Sequence, residues 1–86
     1  MTEGQVEPTK ELLRAAASRD RAERVRAREG LAQHLSSYGL APDAARRVAE
    51  KVAKRAARRG TRGAARLLTK VEGRAREARQ ARERAV

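Results

Sequence analysis

The sequence predicts an all-α protein of three helices, a long first helix followed by two amphipathic basic ones, packed as a hairpin or small bundle. Three observations predict this. Apolar residues recur at spacings of three and four, the period of one helix face. Glycine and proline punctuate the chain at Gly39, Pro42 and Gly60, where the pattern restarts. Many opposite charges in the first half stand at helical spacing, such as Asp20 with Arg24 and Glu23 with Arg26.

Residues 1–8 carry two acids, a Gly and a Pro without periodicity, and read as a disordered tail ahead of a single helical domain over 9–86. Thr9 suits a helix N-cap, and Glu11 suits the positive end of the helix that follows. That first helix spans about Lys10 to Tyr38. It opens apolar at Leu12, Leu13, Ala16 and Ala17, is highly charged from Ser18 to Glu29, and recovers a stripe at Ala27, Leu31, Leu35 and Tyr38. Gly30 sits where the pattern changes, which leaves one long helix or two helices broken near Gly30.

Residues 36–43 (SSYGLAPD) end it. Gly39 suits the left-handed residue after a helix, Leu40 the apolar residue that folds back on the last turn, and Pro42 with Asp43 the first turn of the next helix. The second helix, about Pro42 to Arg59, gathers Ala45, Val48, Ala49, Val52 and Ala56 on one face. Gly60 ends it. The third starts at Thr61 or Arg62 and repeats Ala64, Leu68, Val71, Ala75 and Ala78 at 4-3-4-3 spacing. Arg82 interrupts the seam, so 79–86 read as a frayed or protruding end.

The apolar residues include 19 Ala, 7 Leu and 6 Val, with no Ile, Phe, Trp or Cys. Alanine buries little area, so the core is thin, and a homo-oligomer, a dimer through the first helix or the Ala64–Ala78 seam, would add burial. The absence of cysteine excludes disulfides and thiolate metal sites. No apolar run approaches the roughly 20 residues of a membrane span, and the first residues have no apolar signal-peptide segment. The sequence therefore reads as intracellular and cytoplasmic, nucleoid-associated if it binds DNA.

Charge is the main functional lead. The 22 bases, 18 Arg and 4 Lys, outnumber 11 acids, for a net +11. Residues 43–86 carry +10 of it, whereas 9–42 carry +3 and 1–8 carry −2. Arg47, Lys51, Lys54 and Arg58 form a basic stripe opposite the apolar face of the second helix, with Arg46 beside it. Arg62, Arg66, Lys70 and Arg74 form a second ridge on the third helix at i,i+4 spacing. Like charges at that spacing repel by a few tenths of a kcal/mol per pair, so rows of them fit a phosphate backbone better than an idle solvated face. Arg58 and Arg59 flank the Gly60–Gly63 turn, which lacks the spacing and the Gly-Lys-Ser/Thr ending of a P-loop. A helix-turn-helix DNA reader over 42–78 is disfavoured, because Arg66 stands where that motif needs an apolar residue.

Nothing points to catalysis, a cofactor or a metal. His34 is the lone histidine, and it lies beside Ser36 and Ser37 without an orienting acid. With Tyr38 as the one aromatic residue, the chain lacks the stacking platforms of single-strand binders. Ala-rich faces without bulky anchors also argue against a membrane surface. The function expected is non-catalytic binding of duplex DNA, with structured RNA second. The alternative is a helical interaction or oligomerisation module that grips an acidic protein partner.

Overall fold

The structure, a computed structural model, describes the backbone of residues 3–85 and the side chains of residues 9–85. Nearly all of this is helix, and no strand occurs among the described residues. There are four helices rather than three: α1 (Glu3–Ala16), α2 (Arg21–Ser36), α3 (Pro42–Arg59) and α4 (Thr61–Ala85). The side chains of residues 1–8, where a disordered tail is expected, lie outside the described set. Helix α1 begins at Glu3, earlier than the expected start near Lys10.

The long first helix is the main correction. The chain breaks at residues 17–20, and not at Gly30. Ala17 and Ser18 close tight turns onto the carbonyls of Arg14 and Ala15, which end α1. The Ser18 hydroxyl accepts from the Asp20 N–H at 3.1 Å, and Asp20 Oδ1 accepts from the Ala22 N–H at 3.0 Å as the N-cap of α2. Arg24 then reaches back, donating to the Ser18 and Arg19 carbonyls at 3.0 and 2.8 Å. The expected Asp20–Arg24 and Glu23–Arg26 pairs do not form: Asp20 caps α2, Arg24 serves the corner, and Arg26 donates to the Ala22 carbonyl at 3.4 Å. Gly30 lies inside α2, where a Cβ would stand 2.6 Å from Leu12 Cδ2. Its lack of a side chain lets α1 seat on α2.

The other boundaries follow the turn chemistry. Gly39 has φ 97° and donates to the Ser36 carbonyl, Leu40 packs on the core, and Pro42 opens α3. Gly60, at φ 85°, is the single residue between α3 and α4. Leu12 meets Gly30, Ser36 and Pro42 line one end of the α2–α3 groove with Val25 and Glu50 at the other, and Arg82 of α4 returns beside Gly39.

The buried core comprises Leu13 and Ala16 of α1, Ala27, Leu31 and Leu35 of α2, five residues of α3 and Ala64 and Leu68 of α4. Helix α3 is the central element, packing on all three others. Its buried face is Ala45, Ala49, Val52, Ala53 and Ala56, nearly all alanine, and small contact residues let neighbouring helices approach closely. The 4-3 seam of α4 is used within the chain: Ala64 and Leu68 are buried, Val71 and Ala75 half-buried, and Ala78 exposed. Packing thus ends before Ala78. The 25 residues of α4 outrun the 18 of α3, so the end of α4 extends past the start of its partner as an exposed helix.

Candidate nucleic-acid interface

The structure divides the ten candidate cations by their position around α3 and α4. All ten are exposed: Arg46, Arg47, Lys51, Lys54, Arg58, Arg59, Arg62, Arg66, Lys70 and Arg74. With 3.6 residues per turn, the buried stripe of α3 leaves Arg47, Lys51, Lys54 and Arg58 on its crest. Two flanks adjoin this crest. Arg46 lies on the α2 side, in the groove it shares with Val25 and Ala32. Arg59 lies on the α4 side: a Cβ on Gly63 would stand 3.6 Å from Arg59 Cβ and 3.8 Å from Arg55 Cγ.

That contact orients α4. From Gly63, steps of three and four residues lead to Arg66, Lys70 and Arg74 along the same side of the helix. The structure thus sets Arg59 of α3 beside the start of α4 and leaves Lys51 and Arg58 of α3 and Arg62, Arg66, Lys70 and Arg74 of α4 exposed on the same hairpin. It does not bring Arg46 into this group. Lys54 is partly neutralised by Glu50 at 3.5 Å, an exposed i,i+4 pair. None of the other nine forms an ion pair among the described residues.

One cation belongs to the face and is absent from the sequence-derived set. Arg55 is exposed beside Arg59, against the start of α4. It falls off the crest periodicity of α3, so the spacing alone leaves it out. A different signal was available: residues 51–71 hold eight bases and no acid. Gly60 folds this acid-free stretch back on itself, which concentrates its charge at one end of the bundle.

The opposite side of α4 is built for attachment. His34 Nε2 and Glu72 Oε2 lie 2.5 Å apart, joining the end of α2 to the middle of α4. The His34 and Tyr38 rings meet edge to face at 5.3 Å, and the Arg76 guanidinium stands 5.8 Å over the Tyr38 ring. These contacts hold α4 where its apolar packing thins, around Val71 and Ala75. They also fix its rotation, which leaves the Arg66–Lys70–Arg74 side outward. His34 therefore serves as a packing and tethering residue.

No helix among the described residues is long and apolar enough to cross a membrane, and no three His, Asp or Glu side chains gather there as metal ligands. Comparisons with models of protein families, with curated proteins and with solved structures find no match to this chain.

Proposed function

We propose that this protein binds duplex nucleic acid, DNA in preference to RNA, without catalysing a reaction on it. The observation that carries the reading is the acid-free, eight-base segment 51–71, folded into an exposed hairpin whose cations, Lys54 apart, form no ion pair among the described residues. Concentrating unpaired like charges raises the free energy of the unbound protein, and a phosphate backbone relieves that repulsion while releasing condensed counterions. Lys51, Arg55, Arg58, Arg59, Arg62, Arg66, Lys70 and Arg74 make the phosphate contacts, with Arg47 and Lys54 on the crest beside them.

Such contacts set affinity and orientation and carry no base sequence directly. Tyr38 is engaged by His34 and Arg76, so it offers no free platform for an unstacked base, which favours duplex over single strand. The test is titration with duplex DNA, duplex RNA and single-stranded DNA at two salt concentrations. The expected order is duplex DNA, then duplex RNA, then single strand, with affinity falling steeply as salt rises. Absence of duplex binding at low salt, with tight binding of polyglutamate instead, would replace this reading with that of a module for acidic proteins.

A further inference from the structure

Helix α4 changes character at Gly73. Ahead of it the helix is anchored: Ala64 and Leu68 are buried, Val71 packs on the core, and Glu72 is held by His34. Beyond it only Ala75 is half-buried, and every residue from Arg76 to Ala85 is exposed. Gly73 has no positive φ and nothing within 4 Å of a built Cβ, so neither a turn nor a close approach requires glycine there. It weakens the helix at the place where packing stops supporting it. Residues 74–84 carry five arginines and two glutamates. Two of these arginines are docked on the α2–α3 corner. The Arg76 guanidinium stands 5.8 Å over the Tyr38 ring, and Arg82 Nη2 would lie 3.7 Å from a Cβ at Gly39. We infer that residues 74–85 are a hinged arm, which swings about Gly73 off this corner and onto the phosphates of a duplex bound by the hairpin.

The inference rests on the proposed function and adds a moving element to it. Each residue turns a helix by about 100°, so Arg76 lies roughly 200° around α4 from Arg74. While docked it faces away from a duplex lying along Arg66, Lys70 and Arg74, and only release lets it contribute. Both docking contacts are made by exposed side chains, each to a single neighbour. A guanidinium binds phosphate through charge-assisted and often bidentate hydrogen bonds, which an aromatic face and a backbone corner do not match. Arg79 is engaged with Glu83 at 3.4 Å, so Arg76 and Arg82 are the cations that change partners. Little opposes the swing. Among the described residues, none beyond Val71 packs on the core, and the His34–Glu72 contact lies ahead of the hinge and stays closed. The rotation is confined to one glycine, which absorbs the change in backbone angles that a hinge requires.

Spin labels on the full chain test the inference. Ser36→Cys and Ala81→Cys are exposed positions in a chain with no other cysteine. Their label-to-label distance should be short in the free protein and lengthen by at least about 10 Å, one helix diameter, when a DNA duplex is added. A second pair, Ser36→Cys with Thr69→Cys, reports on α4 ahead of Gly73 and should keep its distance. Gly73→Ala, which stiffens the hinge, should reduce the lengthened fraction. In a duplex titration, Arg76→Gln with Arg82→Gln should flatten the slope of log affinity against log salt by roughly 2 units, at about 0.9 per phosphate. A parent that binds no duplex removes the proposed function and this inference together. Duplex binding with an unchanged 36–81 distance overturns the inference and leaves the function standing. So does equal lengthening of both pairs, an undiminished change in Gly73→Ala, or a parental salt slope in the double arginine variant.

Discussion

The two hairpins of this protein use the same residue types in opposite ways. In α1–α2 the polar side chains hold the chain in shape. Ser18, Asp20 and Arg24 stitch a corner, and Glu11, Glu23 and Glu29 are interleaved with the arginines. Its apolar contribution is bulky: Leu12, Leu13, Leu31 and Leu35. In α3–α4 a single glycine makes the turn, alanine makes most of the buried face, and the cations of residues 51–71 face no acid of their own segment. The contrast teaches a division of labour. Leucine burial and the stitched corner stabilise one half, and the alanine contacts of the other carry a row of exposed cations of which only Lys54 forms an ion pair among the described residues.

Perturbing each half should therefore produce different losses. The largest effect on stability belongs to the leucine side. Leu31 is fully buried, and Leu31→Ala should cost about 2–5 kcal/mol in denaturant unfolding. That is a large share of the stability of so small a domain. By contrast, Lys51→Gln with Arg58→Gln should leave the unfolding midpoint unchanged or slightly raised, since it removes repulsion and no packing.

Next is the corner. Asp20→Ala removes the N-cap of α2 and should cost about 1 kcal/mol, a fall of roughly 4–8 °C in melting temperature for a domain of this size. Close in size, and opposite in sign, is a pair of glycine substitutions. Gly73 has nothing within 4 Å of a built Cβ, so Gly73→Ala should stabilise the protein by up to about 1 kcal/mol through helix propensity. Gly30→Ala should forfeit that gain, because the new methyl must push Leu12 aside. Equal gains at the two sites would contradict the seating of α1 on α2. The smallest effect is at the exposed Glu50–Lys54 pair, where Glu50→Gln should cost no more than about 0.5 kcal/mol and less in high salt.

What could be read from the sequence was what local chemistry decides. Gly39, Pro42 and Gly60 mark their boundaries through backbone conformation alone, and the alanine stripe of α3 follows from its period. The corner at 17–20 was also signalled, by an Asp followed three residues later by Glu23. The same residues also fit i,i+4 ion pairing, and spacing cannot tell the two uses apart. Gly30 has the composition of a helix breaker, yet its role depends on Leu12 of another helix. Arg55 and Arg46 show the same limit at the candidate site. Which flank of α3 faces α4 and which faces α2 is set by tertiary packing, so periodicity could place the crest and not its sides.

The central claim is that free cations on α3–α4, and not bulk charge, carry binding. It is tested most directly by comparing salt dependence between two charge-matched variants on one DNA duplex. In the first, Lys51, Arg58, Arg66 and Lys70 are changed to Gln. In the second, Arg14, Arg19, Arg21 and Arg26, all exposed on or beside α1 and α2, are changed likewise. Every phosphate left without its cation should flatten the slope of log affinity against log salt by about 0.9, so the slope of the first variant should be shallower by roughly 3–4 units. The second should keep a slope close to the parent's and bind only slightly more weakly. Equal reductions of slope and affinity in the two variants would contradict the claim and leave net charge as the whole explanation.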